Sequence, residues 1–215
     1  MNGIILDRIW VEKNVVRCSL VFQGEMASYF TRDELFVEYG ENMEAIPRSI
    51  LAIPFASSLA GLVWLADSQL QVNEIDKTFF HAFERLKEAY QDLHSDIELK
   101  GEFIPGSLAE NTIEENGGGI LLFGGGIDCQ TSFVRNESIV DSVLNIFGWV
   151  DDANKDYPIE KHDMDITEEF CSVVGKKAAH IRSNIFKALN LKEIDRKFQK
   201  MAHVRVLPHF SHWSP

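Results

Sequence analysis

Apolar and polar positions divide this chain into two textures. Residues 1–40 are rich in β-branched and aromatic side chains, and Val15-Val16-Arg17-Cys18-Ser19-Leu20-Val21-Phe22, closed by Gln23-Gly24, predicts a strand. Residues 30–39 fit a further strand or a short helix. From Ile46 the run SILAIPFASSLAGLVWLAD predicts a buried helix kinked near Pro54, followed by a short strand over 62–65. Residues 73–93 then read as a long amphipathic helix. Ile75, Phe79, Phe83, Leu86 and Tyr90 recur at spacings of three and four, and Asn73 is the expected N-cap. Another strand is expected over 97–104, ended by Pro105-Gly106.

Residues 105–117, PGSLAENTIEENG, are polar, acidic and bounded by glycine, which marks a linker over 106–117. It separates an expected α+β region, 1–105, from a second unit, 118–215. Beyond it the pattern alternates: strand 119–123, helix 129–137, strand 142–147, helix 166–178, strand 179–182, helix 184–200 and a final strand 204–207. The fold class expected is α/β, a parallel sheet with flanking helices preceded by the smaller α+β region.

The second unit is organised around GGGILLFGGGIDCQTSFVRN, residues 117–136. Four apolar residues lead into Gly124-Gly125-Gly126 and then into a segment able to start a helix. Free amides of a first helical turn beside a glycine loop make a natural anion site. A Walker A loop needs Gly-Lys-Ser/Thr, and no lysine occurs between Gly117 and Lys155. A Rossmann loop needs a third glycine where Cys129 stands and an acidic strand end about 20 residues on. A purely structural glycine turn stays open as an alternative.

LLFGGGIDC resembles the S-G-G-x-D-S signature of the PP-loop ATP pyrophosphatase superfamily, the adenine nucleotide alpha hydrolase-like group that includes 7-cyano-7-deazaguanine synthase and asparagine synthetase types. Gly125, Gly126 and Asp128 match that motif, Gly124 replaces its first serine and Cys129 its last. The resemblance covers residues 118–207. It implies a HUP-like sheet, and ATP with Mg²⁺ bound by Phe123, Gly124, Gly125, Gly126, Ile127, Asp128 and Cys129. Gly148, Asp151 and Arg182 are expected at neighbouring strand ends. Asp128 and Cys129 would be the catalytic positions, Asp128 also the metal ligand, in an adenylating ligase that releases pyrophosphate from ATP. Without both serines, an inactive module serving as nucleotide sensor or interaction subunit is the alternative. Cys129 reads either as a serine substitute or as a helix-terminal nucleophile. The chain stops soon after the expected last strand, which reads as a shortened homologue, a fragment, or half of a site completed by a protein partner or second copy. The acceptor itself is unknown.

Charge and cysteine content narrow the partners. The formal charge is -12, from 33 acids against 21 Lys plus Arg, with no long basic patch, so nucleic acid is not an expected ligand. Cys18, Cys129 and Cys171 form no CxxC pair, which fits a reducing cytoplasm. The longest apolar stretch, 50–66, is broken by Pro54, Ser57, Ser58 and Gly61, short of the roughly 20 residues that span a bilayer. No membrane association is expected. Asp151-Asp152 are read as ribose or metal ligands or as a solvated turn. His162-Asp163-Met164-Asp165 is read as the acidic start of a helix, and Lys176-Lys177 as its basic end. Of His203, His209 and His212, histidines spaced three apart can share a metal, but a loop after Pro208 offers no helical face to align them.

Overall fold

A computed structural model describes residues 2–112, 118–148 and 159–198. It is an α/β structure built on one eight-stranded sheet in the order β5-β4-β1-β2-β3-β8-β7-β6. The strands are β1 (Gly3–Glu12), β2 (Val15–Gln23), β3 (Glu34–Glu38), β4 (Gln69–Asp76), β5 (Glu102–Ala109), β6 (Gly119–Leu122), β7 (Val140–Phe147) and β8 (Lys177–Ser183). Two parallel groups, β5-β4-β1 and β8-β7-β6, run in opposite directions because antiparallel β2 and β3 stand between them. Their carboxyl ends therefore lie at opposite ends of the sheet.

The first group is covered by α1 (Arg48–Leu51), α2 (Ile53–Leu65) and α3 (Lys77–Leu93). Helix α2 is apolar nearly all round, and all of it but Ile53 and Ser57 is buried. Residues 62–65, expected as a strand, are its last turn. Ala66 N–H bonds Leu62 C=O at 2.9 Å, continuing the helical pattern. The expected kink is a break at Ala52, with Pro54 in the first turn, where its missing N–H costs no helical bond.

Helix α3 begins four residues later than its periodicity suggested. Residues 73–76 finish β4, where Glu74, Ile75 and Asp76 pair with Ser107, Leu108 and Ala109. Ile75 is buried as a strand residue. The cap is Asp76, whose carboxylate accepts Phe79 N–H at 2.7 Å and the Asn111 side-chain amide at 2.9 Å. The helix presents Phe83 to Trp64 and Phe103, each 5.0 Å away between ring centroids.

The expected linker overlaps β5 over Gly106–Ala109, while residues 113–117 lie outside the described part. Pro105 sits inside β5, which is an edge strand among the described residues and so tolerates a residue without an amide donor. The strand expected over 97–104 starts only at Glu102, because Lys100 and Gly101 both donate backbone N–H to Trp64 C=O.

In the second group, α4 (Ile127–Asn136) follows expectation closely. Helix α5 (Ile159–Val174) starts and ends earlier than expected, stopping at Gly175 in a left-handed conformation, φ 69. The expected helix 184–200 is two pieces, α6 (Ile185–Ala188) and α7 (Leu191–Phe198), interrupted where Leu189 bridges Phe30. Ile185, Ala188, Leu189, Ile194 and Phe198 join the large core of the first half. A smaller core of Phe123, Phe133, Val140, Val143 and Cys171 fills the space between β6-β7-β8 and helices α4 and α5. One stretch, Arg48–Leu65, is long and apolar enough to cross a membrane by composition, and 78% of it is buried inside the protein. The final strand expected over 204–207 lies outside the described residues.

Candidate functional site

The glycine run connects the carboxyl end of β6 to the first turn of α4. Phe123 is buried and donates its N–H to Leu144 C=O at 2.8 Å, which holds the strand end against β7. Its carbonyl accepts a bond from the Asn145 side-chain amide. Gly124, Gly125 and Gly126 then leave the sheet exposed, with Gly125 at φ 75. A Cβ added at any of the three would meet nothing within 4 Å. Packing explains none of them, and backbone conformation explains only Gly125.

Helix α4 is uncapped. Gly126 is the N-cap and no side chain among the described residues accepts the first-turn amides, which leaves the N–H groups of Ile127, Asp128 and Cys129 without a side-chain cap. Two of the loop carbonyls, by contrast, are occupied. The Cys129 thiol donates to Gly126 C=O at 2.9 Å, and the Gln130 side-chain amide donates to Gly125 C=O at 2.8 Å. The turn thus leaves its first-turn donors without a side-chain cap among the described residues and ties up two of its acceptors, a polarity that suits an oxyanion. Asp128 is exposed in the first turn. Cys129 is part-exposed, and among the described residues its thiol bonds to Gly126 C=O and to no histidine or carboxylate. Cys171, behind the loop, is buried, and burial, then the Glu168 charge, pushes its thiol pKa up, away from thiolate chemistry.

Gly148 and Arg182 come together at the ends of β7 and β8, one and two strands away from β6. Glu160 joins them: its carboxylate accepts Gly148 N–H at 3.1 Å and lies 3.2 Å from the Arg182 guanidinium. Arg182 is therefore engaged by a carboxylate. Gly148 has φ 104, and a Cβ there would lie 1.7 Å from Ser183 C=O, so close strand packing requires the glycine. Asp151, Asp152, His203, His209 and His212 lie outside the described residues. His162 to Asp165 lie within α5, past its first turn, and Asp165 pairs with Lys161 at 2.9 Å. Lys176 donates to Glu137 C=O at 2.8 Å. No group of three metal-ligating side chains occurs among the described residues.

Sequence reasoning missed Asn145, His180 and Glu160. Asn145 is 7% exposed, and its Oδ1 has no hydrogen-bond partner among the described residues. His180, in register with it on β8, has neither ring nitrogen hydrogen-bonded among the described residues, and Glu168 stands 3.6 Å from Nε2. The available signal was an asparagine on the inward alternation Val143, Asn145, Phe147. Compared with family models, curated proteins and solved structures, the chain matches none.

Proposed function

We propose that the chain binds an adenine nucleotide at the Gly124–Cys129 turn, as the resemblance to PP-loop ATP pyrophosphatases implies, within a PP-loop or HUP-like arrangement of β6, β7 and β8. One observation carries the reading. Three successive glycines that packing does not require lie beside a helix start whose first-turn amides have no side-chain cap among the described residues. A phosphate chain seated there would account for the space at Gly124 and Gly126, where a side chain would intrude on the ligand instead of on protein.

The residues suit phosphate better than a bare metal. Amides and open backbone fit oxyanions, whereas Asp128 is the one carboxylate in the turn. Mg²⁺ would be held jointly by the nucleotide and Asp128. With an acceptor present, the activity implied is transfer of AMP to that acceptor with release of pyrophosphate, in a reducing cytoplasm. Gly124 brings no hydroxyl to the phosphates, a loss of about 1.5–3 kcal/mol for a donor to a charged group. The Cys129 thiol is already bonded to Gly126 C=O. Those two positions favour a second reading, a sensor or partner subunit that binds ATP or AMP without turnover.

Calorimetry with ATP and Mg²⁺ tests both. Wild type is expected to bind, and Gly125→Val, which forces a β-branched residue to φ 75, is expected to lose binding. No heat at millimolar ATP would remove both readings. Pyrophosphate release from labelled ATP then separates enzyme from sensor.

A further inference from the structure

The first parallel group carries a crevice of its own. β1 and β4 pair from Gly3↔Gln69 to Leu6↔Val72 and then part. The pairing of β1 with β2 is interrupted at Asp7 and resumes at Arg8, and β1 stays with β2 to Glu12. β4 stays with β5 to Asp76. The chain leaves β1 toward β2 on one side and leaves β4 through α3 toward β5 on the other. Parallel neighbours whose connections depart in opposite directions open a crevice beyond their carboxyl ends, the usual place for a ligand in an α/β sheet. A cleft of about 430 Å³ lies there, within the range of small-molecule sites.

Its lining is polar and balanced. Arg8, Arg48, Asp7 and Glu74 are among its lining residues, all four exposed, and Asp7 Oδ2 also accepts the Ser19 hydroxyl at 3.4 Å. Most cations of known pairing in this acidic chain sit on a carboxylate, as Arg17, Lys77, Arg182 and Arg196 do. Arg8 and Arg48 have no such partner among the described residues. Arg8 instead lies over the Trp10 ring, 5.2 Å from its centroid, which holds the guanidinium at the cleft without neutralising it.

We propose that this cleft binds a small zwitterion, an α-amino acid or a short peptide carrying one carboxylate and one ammonium group. Arg8 and Arg48 take the carboxylate, a planar fork suited to it, and Asp7 and Glu74 take the ammonium. A polyphosphate would meet both carboxylates, and a polycation both guanidiniums. The volume admits an amino acid or a dipeptide and excludes a folded partner. The site is independent of the glycine turn, which lies at the opposite end of the sheet.

The test is calorimetry of the full chain with the common L-amino acids and with Ala-Phe and Ala-Glu dipeptides. Each ligand that binds is repeated as its N-acetyl and methyl-ester form. At least one free zwitterion is expected to bind, amino acids and dipeptides in separate arms deciding which source fits. Capping either end, or substituting Arg8→Gln or Arg48→Gln, is expected to weaken binding by roughly tenfold or more. Both arginines are exposed, so the melting temperature should hold and report intact folding. Gly125→Val should leave this binding unchanged. No binding by any zwitterion at about 20 mM, equal binding of capped ligands, or indifference to both arginine substitutions would each overturn the proposal.

Discussion

Asn145 donates its side-chain amide to Phe123 C=O, the last carbonyl before the glycines, and so fixes the height at which the loop leaves the sheet. Its other polar atom, Oδ1, is buried without a partner. Removing the side chain leaves the Phe123 carbonyl unsatisfied between β6 and β7. Asn145→Ala should therefore lower stability by about 1–3 kcal/mol in urea denaturation. Asn145→Asp should cost more, because it loses the donor and places a carboxylate in the same position. The residues around it divide by what demands them. Gly148 is required by a 1.7 Å approach to Ser183 C=O, Gly125 by its φ of 75, and Gly124 by neither. Only positions of the last kind, polar or glycine where packing asks for nothing, point beyond the fold to a ligand.

Among the elements, β3 (Glu34–Glu38) and the residue after it carry a pH dependence of stability. Tyr39 follows the strand, its backbone tied to Asn14 in both directions, by Tyr39 N–H at 2.9 Å and Tyr39 C=O at 2.8 Å. Burial raises its hydroxyl pKa from 10.0 to about 12. The folded state thus holds this proton after the unfolded state has released it. Its effect on stability is absent below pH 10 and becomes destabilising as pH rises toward 12. Wild type should lose on the order of 1 kcal/mol at pH 11 relative to Tyr39→Phe, measured by urea denaturation across pH 8 to about 11. The elements themselves were legible where one force dominated. Val15 to Gln23 alternates cleanly and is β2, and the β6–glycine–α4 turn stands within two residues of its expected bounds. Elsewhere a residue's local meaning was overridden by its partner. Asn73 looks like a cap but lies in β4 opposite Gly106, and Pro105-Gly106 looks like a stop but runs through an edge strand. Asn145 and Glu160 were invisible because their partners, Phe123 C=O and Gly148 N–H, are backbone groups far away in sequence.

At the scale of the whole molecule, the two halves share one sheet through a narrow joint. β3 meets β8 over Val37↔Ser183 and Glu38↔Arg182. The joint is reinforced by Asn184, whose side chain accepts Phe36 N–H at 2.7 Å and donates to Glu34 C=O at 3.0 Å. Beyond it, the sheet ends among the described residues at β6, where Ile120 is 68% and Leu122 55% exposed, so the glycine turn stands at a margin of the fold. The central claim is that this margin receives a nucleotide. Amide chemical shifts of the ¹⁵N-labelled full chain, titrated with ATP and Mg²⁺, test it most directly. The account predicts shifts concentrated from Gly124 to Cys129 and small ones at Asp7, Arg8 and Asn73 across the sheet. Saturating millimolar ATP that leaves the Gly124 to Cys129 amides unmoved would contradict it.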